Sequence, residues 1–202
     1  MAIKPILFNT EMVRAILDRR KGATRRSVKG YIPDDAVWGY TAFTPKGYIS
    51  CRGTFADGYG EKFFKLPCEP GDIMYVRETW CDDRQFTRED TPGRYFYKAS
   101  EEDGFTVKWH PSIHMPKEAA RIWLKVTDVR VERLQEITID GIRNEGLSSM
   151  AVHAGDMEIA MEEWKNLWNS TIKKPDINHY GWDANPWVWV IEFERCEKPE
   201  GM

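Results

Sequence analysis

The segment Trp187-Val188-Trp189-Val190-Ile191-Glu192-Phe193 limits the folds open to this chain more than any other. Trp187, Trp189, Ile191 and Phe193 alternate with Val188 and Val190, so a strand over 187–194 carries apolar side chains on both faces. Such a strand belongs inside a sheet that is covered on each side. Ile73-Met74-Tyr75-Val76, entered through the turn Pro70-Gly71-Asp72, has the same property. Residues 121 to 134 alternate over a longer span. Ile122, Leu124 and Val126 share a face, and Val129 and Val131 resume the pattern after an irregularity near Asp128, which predicts a β-bulge.

The remaining elements read as short. Pro5 to Phe8 is a strand. Thr10 is a good N-cap for a helix with Val13, Ile16 and Leu17 on its buried stripe, ending in a basic run whose charge suits the helix C-terminus. Residues 31 to 70 are rich in glycine and aromatics, with turns at Pro45-Lys46-Gly47 and Ala56-Asp57-Gly58, and read as a β-rich insertion. Arg94 to Lys98 is a further strand, and Lys108 to Pro116 a loop holding Trp109, His110, Ser112 and His114. Thr138 caps a short helix running to Glu145. Asp156 precedes a longer one with Met157, Ala160, Met161, Trp164, Leu167 and Trp168 on one face. Lys173 to Pro186 reads as a loop. Many strands with a few short helices indicate an α+β fold, a small mixed curved sheet or β-barrel with helices at its ends. A length of 202 residues fits one domain.

Composition excludes several functions. Net charge is -3, so any nucleic-acid contact must come from a local patch. No stretch has signal-peptide or membrane-spanning character, which predicts a cytoplasmic chain without a membrane partner. Cys51, Cys68, Cys81 and Cys196 form no CxxC pair and are expected as free thiols. His110 and His114 are separated by Pro111 and Ser112 and have no adjacent acidic or cysteine cluster, so no metal site and no cofactor is expected.

The run Arg19-Arg20-Lys21-Gly22-Ala23-Thr24-Arg25-Arg26 carries the chemistry. Clustered positive charge attracts an anion such as a phosphate, and it disfavours the ammonium form of Lys21, making it a better base. A hydroxyl near such a lysine is one recipe for an activated nucleophile. A solvated basic turn has the same residues, so the run alone leaves both readings open.

The pattern resembles the ASCH domain family of the PUA-like superfamily. Three segments carry the resemblance: Ile16-Leu17 with the basic run through Arg26, the segment Pro70-Gly71-Asp72 through Trp80, and the helix from Thr138 to Glu145. It is closest to ASCH-domain proteins of phages and prophages. It implies a small mixed β-barrel with flanking short helices, a single domain over residues 1–202, and elaborations at 31–70 and 82–118. Small bacterial members that hydrolyse N4-acetylcytidine use a threonine, a lysine and a glutamate, which correspond to Thr24, Lys21 and Glu145. Arg20 is preserved, whereas Arg19 stands where the family has glycine, and Gly22 where it has threonine.

The resemblance implies an amidohydrolase acting on an acylated nucleobase amine, in a free modified nucleoside or in RNA. Thr24 would attack the carbonyl, Lys21 would take and return the proton, and Glu145 would orient Lys21. Glutamate favours charged lysine while the arginines oppose it, so the sequence leaves the net effect on Lys21 open. Arg20, Arg25 and Arg26 are candidate substrate contacts, and Trp80 and Trp109 candidate stacking platforms. The alternative is an RNA-binding module, or a single-stranded RNA nuclease, that grips phosphates with Arg19 to Arg26.

Overall fold

A computed structural model describes residues 1–82, 95–101 and 107–200. Its strands are β1 (Ile3–Leu7), β2 (Ala23–Ser27), β3 (Val37–Gly39), β4 (Tyr48–Phe55), β5 (Gly58–Lys65), β6 (Ile73–Arg77), β7 (Trp80–Asp82), β8 (Tyr95–Tyr97), β9 (Trp123–Arg133) and β10 (Trp187–Cys196). Its helices are α1 (Thr10–Leu17), α2 (Ile139–Asn144), α3 (Met150–Ala154), α4 (Met157–Thr171) and α5 (Ile177–Tyr180).

The main sheet has the order β1-β6-β9-β10-β2. β1 and β6 are parallel, and the other pairs are antiparallel. The doubly apolar strands lie inside it, as their sequences require. Met74 and Val76 of β6, Leu124 and Val126 of β9, and Trp189, Ile191 and Phe193 of β10 pack into one cluster with Phe8, Val13 and Ile16. Val188 and Val190 face the opposite way, onto Ile142, Trp164 and Trp168 of α2 and α4. At the other end of that face, Ile73, Tyr75 and Trp123 pack with Trp80 and Met115. The register of β9 against β10 slips between Glu192 and Phe193, which leaves Thr127 unpaired beside Asp128.

The insertion forms its own sheet, β3-β4-β5, whose Trp38, Ile49 and Phe64 close over the first cluster. The β4–β5 turn at Ala56-Asp57 is a hairpin, with Gly58 at φ +109°. The turn at Pro45-Lys46-Gly47 is instead the end of a longer connection, because β3 stops at Gly39. No pairing joins the edge strands β1 and β2 among the described residues. The Arg26 side chain spans that gap by donating to Leu7 O at 3.0 Å.

Several local expectations shift. Asn9, not Thr10, caps α1, because its Oδ1 accepts from Met12 N–H at 2.8 Å. Thr138 and Asp156 cap α2 and α4 as expected. Met157 is largely exposed, so the buried stripe of α4 starts one turn later, at Ala160. The stretch 173–186 contains α5, and 150–154 forms a helix that its short apolar run did not signal. The expected strand start at Arg94 and residues 83–94 and 102–106 of the 82–118 elaboration fall outside the described residues. Among the described residues no helix is long and apolar enough to cross a membrane.

Candidate functional site

The turn after α1 determines where Lys21 goes. Arg19 N–H donates to Ile16 O at 3.1 Å and Arg20 N–H to Ala15 O at 2.8 Å, a Schellman-type ending with Arg19 in the left-handed region at φ +60°. The chain then runs beside the end of α2. Lys21 and Glu145 form an isolated antiparallel bridge, and Gly22 N–H donates to Asn144 O at 2.8 Å. Two glycines permit this approach. A Cβ on Gly146 would lie 2.8 Å from Ala15 Cβ and 3.0 Å from Lys21 Cβ. One on Gly22 would lie 2.6 Å from Asn144 Oδ1.

Lys21, Glu145 and Arg25 thereby form a buried cluster, with side chains 0%, 3% and 4% exposed. Lys21 Nζ donates to Glu145 Oε2 at 2.7 Å and to Glu145 O at 2.8 Å. Arg25 Nη1 donates to Glu145 Oε1 at 3.2 Å, and its Nη2 to Glu132 Oε2 at 3.3 Å. Glu132 Oε1 accepts in turn from Arg130 Nε at 2.5 Å, and Arg130 Nη1 also reaches Asp128 and Glu192. The sequence reading missed this chain of charges. Asp128, Arg130 and Glu132 do alternate along the polar side of β9, and that period-two pattern was its signal.

Burial holds the Lys21 amine below its usual value near 10.5. The Glu145 carboxylate opposes this, while Arg26 and Arg25 add to the lowering. Burial wins, which answers the question the sequence left open. Once deprotonated, the amine would keep two N–H bonds with acceptors on Glu145 and have a lone pair left to accept a proton.

The other expected site residues divide. Thr24 and Arg26 pair with Ile191 and Trp189, on the same sheet face as the first cluster. Lys21 Nζ and Arg26 Cζ both lie over the Phe8 ring, 5.5 and 5.6 Å from its centroid. Thr24 is thus on the Phe8 side of the sheet, but among the described residues no hydrogen bond joins it to Lys21 or Glu145. Arg25 pairs with Val190 on the opposite face. Arg20 stays at the surface, donating to Gly146 O at 2.7 Å and Asp18 Oδ2 at 2.9 Å. Trp80 is a core residue against Tyr95 and His110, and half-buried Trp109 adjoins the backbone bridge between Trp80 and His110. Neither tryptophan lines a cleft beside Lys21, because β7 is on the β6 side of the molecule.

Three open clefts surround the cluster. One of about 670 Å³ is lined by Lys21, Gly22, Asn144, Arg19 and Phe193. A second, of about 300 Å³, reaches Arg25 and Asn144 from the β9 side. A third, of about 520 Å³, meets Glu145 and Arg20. Asn144, which sequence reasoning did not single out, borders the first two. Among the described residues no group of three His, Cys, Asp or Glu side chains gathers as metal ligands.

No family model and no curated protein matches the chain. Among solved structures the chain is similar to an ASCH domain from Lactobacillus crispatus JV V101, at 11% identity and a TM-score of 0.40, covering 96% of this chain and 79% of that one.

Proposed function

We propose that this chain is an ASCH-type amidohydrolase that removes an acyl group from a nucleobase amine of the N4-acetylcytidine kind. The observation that carries the reading is the Lys21 amine, buried, depressed in pKa by that burial and held by Glu145, in a residue that lines a cleft of about 670 Å³. That volume lies in the range of small-molecule sites.

In the proposed reaction Thr24 Oγ1 bonds to the acyl carbon while its proton passes to neutral Lys21 Nζ. The C–N bond then breaks, and Lys21 returns the proton to the departing amine. Water attacks the resulting ester, releasing the carboxylic acid and restoring the Thr24 hydroxyl. Glu145 positions Lys21, and Arg25 steadies the second carboxylate oxygen. The backbone around Gly22 is the nearest candidate for stabilising the oxyanion.

The phosphate-gripping alternative has less support. Arg25 is buried and engaged with Glu145 and Glu132, Arg26 donates to Leu7 O, and Arg20 is paired with Asp18, so of the four arginines in the run only Arg19 makes no side-chain hydrogen bond or ion pair among the described residues.

Hydrolysis of N4-acetylcytidine, followed by chromatography, tests the proposal. Turnover is expected in the native protein and is lost in Thr24→Ala, a change small enough to keep the fold. Lys21→Ala is expected to lose about 100-fold or more. Absence of turnover in the native protein, or an undiminished rate in Thr24→Ala, would overturn the reading.

A further inference from the structure

β5 is the outer strand of the β3-β4-β5 sheet, and its far edge pairs with no other strand among the described residues. The register fixes which backbone groups that edge presents. Phe55 and Gly58 pair across the two-residue turn Ala56-Asp57, so they exchange both backbone hydrogen bonds, and the even-numbered residues of β5 bond inward to β4. The N–H and C=O groups of Tyr59, Glu61 and Phe63 therefore point outward, and no hydrogen bond among the described residues takes them up.

The features that commonly blunt a sheet edge are missing here. β5 contains no proline, and its register with β4 runs without a bulge. Lys62 is drawn over the Phe55 ring and toward Asp57. Two aromatic side chains stand at the edge, Tyr59 at 74% exposed and Phe63 at 39%. Both lie on the same face as Glu61 and Lys65, because successive side chains alternate along the strand.

We infer that β5 pairs antiparallel with β5 of a second copy of this chain, across a two-fold axis at Glu61. The strand is self-complementary in that register. Tyr59 falls opposite Phe63 of the second copy, and Phe63 opposite its Tyr59, so two aromatic cross-strand pairs form on one face. At each end Lys65 falls beside Asp57 of the second copy, opposite in charge. The two Glu61 carboxylates meet at the axis, and each keeps Arg52 of its own copy directly across from it on β4 and the Ser50 hydroxyl as a donor. Moving the axis by one residue loses the fit. At Gly60 it sets Tyr59 against Glu61 and Phe63 against Asp57, and at Lys62 it sets Glu61 against Phe63 and lysine against lysine. A strand from another protein would have to supply the pattern that β5 itself carries. No residue of β5 lines the clefts around Lys21, so the pairing stands whether or not the chain hydrolyses an acylated base.

The test is sedimentation velocity over a concentration series. The native chain is expected to run as a dimer that dissociates on dilution. Phe63→Ala removes both aromatic pairs and raises the dissociation constant about tenfold. Glu61→Pro abolishes the dimer but keeps the fold, because the amide it deletes faces outward. Oxidised Glu61→Cys gives a dimer that a reductant dissolves, since hydrogen-bonded partners at the axis stand about 5.5 Å apart between Cα atoms. Lys62→Cys, whose symmetry mate lies beyond disulfide reach, does not cross-link. A native chain that stays monomeric, a dimer that persists in Glu61→Pro, or cross-linking through Lys62→Cys in place of Glu61→Cys would each overturn the proposal. The monomeric result would leave the edge to a strand of another protein. If circular dichroism shows Glu61→Pro unfolded, the pair of cysteine variants decides.

Discussion

Glu145→Gln is the substitution whose consequence follows most directly from the geometry. Glu145 serves two cations at once, Lys21 at 2.7 Å and Arg25 at 3.2 Å, where water has almost no access. Glutamine keeps one acceptor oxygen and turns its NH2 toward the other cation, setting donor against donor. Removing one partner of a buried ion pair costs about 3–5 kcal/mol. Lys21 can shed its proton in response, so the lower end of that range, about 3 kcal/mol, is expected. Lys21→Met is milder. It removes a charge that burial already disfavours and leaves Glu145 bonded to Arg25, for a cost of about 1–2 kcal/mol. Urea unfolding measures both, as a fall in midpoint at constant slope. A pH series adds a sign. Lys21 titrates below 10.5 when folded, so between its folded value and 10.5 the unfolded chain binds more protons. Unfolding free energy therefore rises with pH across that window, and Lys21→Met removes this contribution. If Glu145→Gln costs no more than Lys21→Met, or if both cost under about 1 kcal/mol, the buried-cluster reasoning is wrong.

Arg19→Gly relieves a side chain held at φ +60° and is expected to raise stability by about 0.5–1 kcal/mol in the same assay. A loss would mean that the Arg19 side chain contributes more than its backbone costs. Gly146→Ala adds a Cβ 2.8 Å from Ala15 Cβ at φ +94° and is expected to cost about 2 kcal/mol or more. A tolerated Gly146→Ala would show that α1 and α2 approach less closely. Burial pushes the Cys51 and Cys68 thiols up to about 11, and it raises Cys81 and Cys196 as well. Cys196 alone is not fully buried, so a thiol reagent at pH 8 should modify Cys196 first and the others only on unfolding. Rapid reaction of Cys51 or Cys68 in the native chain would contradict that burial.

Local pattern determined a good deal of this protein. Apolar residues on both faces of 73–76 and 187–194 identify strands covered on each side, alternation in 121–134 identifies a strand with one apolar face, and the break near Asp128 marks the bulge. Thr138 and Asp156 announce the helices they cap, because a cap depends on a few neighbouring groups. Those properties are local, so the sequence contains them. Lys21 and Glu145 were named from a resemblance, but whether they touch rests on α2 returning to a segment 124 positions away. The arginine run reads as one patch in sequence. Strand alternation sends Arg25 and Arg26 to opposite faces and buries Arg25 against Glu145 and Glu132, so the patch disperses. Trp80 looks free to stack until β7 packs it beneath Tyr95 and His110. Desolvation is the common cause. The charge state of Lys21, the commitment of Arg25 and the burial of Trp80 all follow from which distant elements exclude water, and only the tertiary structure decides that.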